Sequence, residues 1–212
     1  MPKIVDHQQR KEQIAEAAWR VIRREGLEGV SVRHVADEAG ISLGSLRHYF
    51  HAQEELLSFT MRLISDRVHL RIRSLPFTGE PRRDIEMAIA ELAPLDEQRL
   101  AEAEVWLAFA GRAITDPAVR ALSHQMHEEL YAGFRGMIEL LLSDKLAREG
   151  LDPEQETRRL HALIDGLVVH HVTYPERLNG EELMRIVADH LDSLLLAPPV
   201  PPPERIRMKK DN

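Results

Sequence analysis

Residues 31–56 read SVRHVADEAGISLGSLRHYFHAQEEL. Ser31 stands in N-cap position before Val32, Val35, Ala36 and Ala39, an i, i+3, i+4, i+7 set that predicts a helix of about eight residues. Gly40 follows and supplies the backbone freedom of a tight corner. Ser42 is placed to cap a second short helix, with Leu46, Tyr49 and Phe50 on one side and Leu43, Gly44, Arg47 and His48 nearer the other. Two short helices are therefore joined by the turn A-G-I-S (39–42).

The flanks extend it. Ile14, Ala17, Ala18, Val21 and Ile22 make one stripe of a helix over about 8–25, which Gly26 stops. After the corner, a longer helix over about 52–74 carries Leu57, Met61, Ile64 and Val68. Three helices ahead of a long one, with a glycine turn between the second and third, is a helix-turn-helix layout. In that layout the third helix lies in the DNA major groove. Ser42 and Ser45 offer short hydroxyls to phosphates or base edges, Gly44 permits close approach, and the planar fork of Arg47 matches guanine or a phosphate. Leu46 and Phe50 are expected to pack inward.

Composition limits the alternatives. The 212 residues contain no cysteine, so neither a disulfide framework nor thiolate chemistry is available. The first residues lack the apolar stretch of a signal peptide, and no run approaches the roughly 18 apolar residues of a membrane span. A cytoplasmic protein is expected. The net charge of −7 alone speaks against a polyphosphate partner. Yet residues 1–50 hold eight Lys/Arg against seven Asp/Glu, so the acidic excess falls on the rest of the chain. An anionic partner would meet the N-terminal end.

Beyond residue 74 the apolar spacing stays helical, with no alternating strand pattern. Helices are predicted at about 82–93, 96–115, 117–149, 153–173 and 180–196, with a possible bend near Gly133 or Gly136. The expected class is all-α, with about nine helices. Residues 1–51 form a helix-turn-helix domain, 52–196 a larger helical domain, and 197–212 a proline-rich, then charged, tail. PPVPPP in that tail suits a polyproline II docking segment.

The run 31–56 resembles the DNA-binding segment of the TetR family of bacterial transcriptional regulators. The likeness lies in the small polar start, V-A-x-x-A-G-I-S, the G-S-L at the head of the third helix, Tyr49–Phe50, and the E-E-L that opens the fourth. It implies a dimeric repressor that binds a palindromic operator and is released by a small molecule. It places Ser31 and Arg33 near phosphates, Ser42, Leu43, Gly44, Ser45, Arg47 and His48 at the groove, and Tyr49 on the DNA backbone. Two positions depart from the pattern. Arg47 stands where many members have an aromatic, and Gln53 where many have a phosphate-binding lysine. Glutamine can donate a hydrogen bond but releases no counterion, which removes about one unit of salt slope. Whether Arg47 meets a base or a phosphate stays open.

In the second half, EVWLAFAGRAITDP (104–117) resembles the branch of the family that includes choline-responsive repressors. A quaternary ammonium favours an aromatic cage. The resemblance therefore implies a pocket lined in part by Trp106, Phe109, Met126, His127 and Tyr131. It also implies a dimer, expected through the helices at 117–149 and 153–173, although an internal core accounts for the same stripes. Histidine pairs at 48/51, 124/127 and 170/171 lack the partners of a tetrahedral site, so neither metal nor cofactor is expected. No G-x-S-x-G elbow, phosphate-cradling loop or H-E-x-x-H points to an enzyme.

Overall fold

The structure, a computed structural model, describes residues 7–143 and 147–196. Among them the chain forms nine α-helices: α1 (His7–Glu25), α2 (Val32–Glu38), α3 (Leu43–Tyr49), α4 (Gln53–Arg73), α5 (Pro81–Ala90), α6 (Glu97–Ala113), α7 (Pro117–Leu142), α8 (Pro153–Thr173) and α9 (Gly180–Ser193). The all-α expectation holds. A 3-10 turn at Leu27–Gly29, not anticipated, joins α1 to α2. The proline-rich tail lies outside the described residues.

Helix starts follow local chemistry. Ser31, Ser42, Asp96, Asp116, Asp152 and Asn179 each accept a backbone N–H of their own first turn. Pro81, Pro117 and Pro153 occupy the first turns of α5, α7 and α8, where a missing N–H costs nothing. Asn179 and Glu182 close a reciprocal capping box on α9. Gly26 and Gly40 end α1 and α2 with φ of 73° and 64°. The helix expected over 117–149 ends at Leu142 instead, and it is continuous through Gly133 and Gly136. Backbone beyond it is used differently: Arg148 N–H donates to the Leu194 carbonyl at 3.0 Å, and Ala147 bridges Leu195.

Two apolar clusters organise the molecule. The first gathers Ile14, Val21, Leu46, Phe50 and Leu56 from α1, α3 and α4 with Val105 and Phe109 of α6 and Val119 of α7. The second gathers Ile89, Phe134, Ile138, Leu160, Ile164, Val187 and Leu191 from α5 and α7–α9. Each fully buried large apolar side chain contributes about 1.5–3 kcal/mol relative to exposure. Both clusters therefore hold their helices firmly. The Trp19 indole of α1 donates to the Thr60 carbonyl of α4 at 3.2 Å, and the Arg67 guanidinium lies 4.9 Å from the Trp19 ring. Among the described residues no helix is long and apolar enough to cross a membrane.

Candidate nucleic-acid interface and interior cavity

The sequence around the glycine corner folds as its caps dictate. The Ser42 hydroxyl accepts the Ser45 N–H at 3.1 Å, and the Ser31 hydroxyl accepts the His34 N–H at 3.1 Å. Each oxygen is thereby committed as a cap, and each O–H proton is left to donate outward. Leu46 and Phe50 are fully buried, so α3 is rooted from below. Ser31, Arg33, Ser42, Gly44, Ser45, Arg47 and His48 are exposed, and Leu43 and Tyr49 are half-buried.

Arg33 and Arg47 make no hydrogen bond or ion pair among the described residues. Their neighbours are less available: Glu38 accepts from Arg20 at 2.7 Å and from Arg24 at 3.2 Å. Those two hydrogen bonds hold the Glu38 carboxyl below the usual carboxylate range. The Glu38 charge is thus engaged by Arg20 and Arg24 while the Arg33 and Arg47 guanidinium groups stay unengaged. Tyr49 packs against His7 and His48, ring centres 4.8 and 5.4 Å away. Gln53 faces inward. Its Nε2 donates to the Val30 carbonyl at 2.9 Å, fastening the start of α4 to the residue before the Ser31 cap.

A cavity of about 130 Å³ opens between α4, α6, α7 and α8, with Ile64, Trp106, Met126, Phe134 and Val168 among its walls. Four carboxylates border it. Glu91 and Glu102 are held by Arg71 and Arg99, and Glu129 accepts from Gln125 at 3.2 Å and Ser65 at 3.5 Å. Asp165 accepts no hydrogen bond; His161 Nε2 lies 3.5 Å from its Oδ2 without forming one. Burial pushes the Asp165 carboxyl up to about 6. Burial, with His127 adding to it, pushes the His161 imidazole down to about 4. A second chamber of about 270 Å³ shares Met61, Trp106, Met126 and Leu130 with the first and is bordered by Ser123, His127 and His161.

Of the expected pocket residues, Trp106 and Met126 face both chambers and His127 faces the second. Phe109 does not reach either: it is 0 % exposed inside the first apolar cluster. Tyr131 also stays out, its hydroxyl donating to Glu154 at 2.8 Å. Phe134, His161 and Asp165 were not anticipated. Their signal was a histidine and an aspartate, four residues apart, interrupting the apolar stripe of Leu160, Ile164 and Val168. Among the described residues no group of three or more His, Asp or Glu side chains is arranged to hold a metal ion.

A capped helix-turn-helix carried on a helical body with an interior cavity defines the class: a DNA-binding transcriptional regulator. Residues 14–59 match the family model described as bacterial regulatory proteins, tetR family, and residues 81–196 match that of the BetI-type transcriptional repressor, C-terminal. The chain belongs to the TetR family. The HTH-type transcriptional regulator PksA of Bacillus subtilis (strain 168) is 38 % identical over 195 residues, covering 92 % of this chain and 94 % of PksA. A transcriptional regulator from Rhodococcus sp. Rha1 superposes with a TM-score of 0.74 at 31 % identity, over 87 % of this chain and 95 % of the other. A second regulator structure, from Saccharomonospora viridis in complex with choline, has the same fold, with a TM-score of 0.75 at 21 % identity over 90 % of this chain and 100 % of that one.

Proposed function

We propose that the chain represses transcription as a homodimer on a twofold operator and that a small molecule in the α4/α6/α7/α8 cavity releases it. One observation carries this reading. The helix α4 lines the cavity with Met61, Ile64 and Val68, while its first turn is fastened by Gln53 to the loop before α2. A ligand that favours one position of α4 then biases the spacing of two recognition helices, provided it binds the two conformers with different affinity. Ser31, Arg33, Ser42, Leu43, Gly44, Ser45, Arg47, His48 and Tyr49 meet the operator, and Gln53 acts behind them.

The dimer is assigned mainly to α8. Its outward positions Arg159, Ala162, Leu163, Gly166 and Val169 form a continuous stripe in which small residues permit close approach. Val169 is 37 % exposed, and Ile186 of α9 is exposed as well. The share first expected of the helix from 117 is smaller in this reading, because its outward positions include Glu128, Arg135 and Glu139.

The effector is assigned as an organic cation. Asp165 supplies a counter-charge without a hydrogen-bond partner, and Trp106 and Phe134 supply aromatic surface. The choline held by the Saccharomonospora viridis regulator belongs to that chemical class. The test is fluorescence anisotropy on a labelled fragment from upstream of the chain's own gene, with alkyltrimethylammonium probes added. Sequence-selective binding, reversed by the probes and insensitive to them in Asp165→Asn, is expected. Non-selective binding, or an equal response in Asp165→Asn, overturns the respective half. Val169→Glu is expected to yield monomers by light scattering and to abolish the shift.

A further inference from the structure

The second chamber holds two polar atoms that the fold leaves unused. Ser123 Oγ and His161 Nε2 are both buried and hydrogen-bonded to nothing within the chain, and both residues border the same space. His161 is 4 % exposed. Its ring is wedged between those of His127, 4.7 Å away, and Phe134, 4.9 Å away, so it cannot turn outward without unpacking α7 from α8. Buried polar atoms without a partner are costly, typically about 1–3 kcal/mol each, and a protein that retains two of them at one cavity wall has a use for them.

We propose that the second chamber binds an uncharged oxygen group of the effector, a hydroxyl or a carbonyl, at Ser123 and His161. The complete site is then two-chambered. This rests on the effector-cavity reading above and adds a second recognition element to it.

The surroundings select the charge type. His161 is neutral at physiological pH because burial disfavours its imidazolium, so it offers one donor or one acceptor and no charge. A carboxylate at this position would face Asp165, 3.5 Å from His161. A cation would face Arg120, which borders the chamber with its Nε and Nη2 already given to the Ala113 and Ile114 carbonyls at 2.8 and 2.6 Å. A hydroxyl suits either tautomer of His161, since it can donate and accept. A carbonyl suits the tautomer with hydrogen on Nε2, together with the Ser123 O–H. Met61, Trp106, Met126 and Leu130 face both chambers, so one molecule that parts them contacts both.

The experiment compares alkyltrimethylammonium probes of four to ten carbons with their ω-hydroxy counterparts by calorimetry, and repeats the comparison with uncharged alkanols against alkanediols. In the wild type the added hydroxyl is expected to tighten binding about tenfold at the best chain length, the effect of two modest hydrogen bonds. Ser123→Ala and His161→Phe each lose most of that preference, whereas His161→Gln keeps part of it. Neither Ser123→Ala nor His161→Phe lowers the melting temperature, because the lost atoms held nothing in the fold. Equal binding of the paired probes at every length overturns the proposal, as does a preference that survives both substitutions or a clear loss of melting temperature in both. A hydroxyl preference confined to the uncharged series sinks the cation assignment and leaves this one standing. Cation binding that depends on Asp165 without any hydroxyl preference does the reverse, and no binding of any probe overturns both.

Discussion

Arg71 and Glu102 form a two-pronged ion pair, Nη1 to Oε1 at 3.0 Å and Nη2 to Oε2 at 2.8 Å, that ties the last turn of α4 to α6. Glu102 is 4 % exposed, and Arg71 also reaches Glu91 through Nε at 2.9 Å. Burial works to lower the Arg71 pKa, and the hydrogen bonds and charges of Glu102 and Glu91 more than offset it. Planar two-point pairing fixes direction as well as distance. The C-terminal end of α4 is therefore anchored at the cavity wall, as its first turn is anchored by Gln53.

Glu102→Gln leaves a partly buried guanidinium short of a counter-charge and is expected to cost about 2 kcal/mol in urea unfolding. A double replacement, Arg71→Met with Glu102→Met, is expected to recover more than half of that, because no charge is then left unpaired. Both variants should bind operator yet respond weakly to the alkyltrimethylammonium probes in anisotropy titrations. A full response from the double variant would show that the pair does not carry the signal.

Arg47→Ala removes an exposed side chain without a partner among the described residues, so the melting temperature should not move. Operator affinity should fall by about 1–3 kcal/mol if the guanidinium meets a base edge, with relaxed selectivity at that base pair. If it meets a phosphate, affinity falls evenly across sequences and the salt slope drops by about one unit. Titrations at several salt concentrations separate the two.

Gln53 has an internal role that a lysine would give up. Gln53→Ala is expected to cost about 1 kcal/mol, the worth of a hydrogen bond to the Val30 carbonyl. Gln53→Lys should lose similar stability but steepen the salt slope of DNA binding by about one unit. Chemical denaturation and anisotropy read the two effects independently.

Acid acts on two groups at the cavity with opposite signs. Asp165, raised to about 6, is ionised above that pH and protonated below it. Affinity for an alkyltrimethylammonium probe should therefore fall as pH drops below about 6, by up to tenfold per unit, and Asp165→Asn should flatten the profile. His161 is depressed from 6.5 to about 4, so it leaves stability unchanged above pH 6.5 and lowers it as pH falls toward 4, where only the unfolded chain takes up the proton. His161→Phe should lose less stability than the wild type over this window in thermal melts.

The helix-turn-helix was legible because every signal agreed: serine caps, glycine corners and apolar spacing pointed to the same boundaries. Ser42, Gly44 and Arg47 lie on the surface of α3 as their positions required. Gln53 was harder, since its partner Val30 lies 23 residues away and only tertiary packing joins them. Phe109 is an aromatic that a cage for a quaternary ammonium would draw on, and nothing in the local sequence separates a cavity wall from the core in which it lies. Asp165 and Trp106 come together through the packing of α6 against α8, which no local pattern encodes. The early end of α7 has the same origin, since its continuation is diverted to pair with Leu194 and Leu195.

Phe50 and Leu46, which seat the recognition helix, belong to the same cluster as Val105, Phe109 and Val119, more than fifty residues downstream. The DNA-reading end is consequently not a cassette that can be cut out near residue 51 and grafted elsewhere. A new recognition helix has to arrive with a floor that fits α6 and α7.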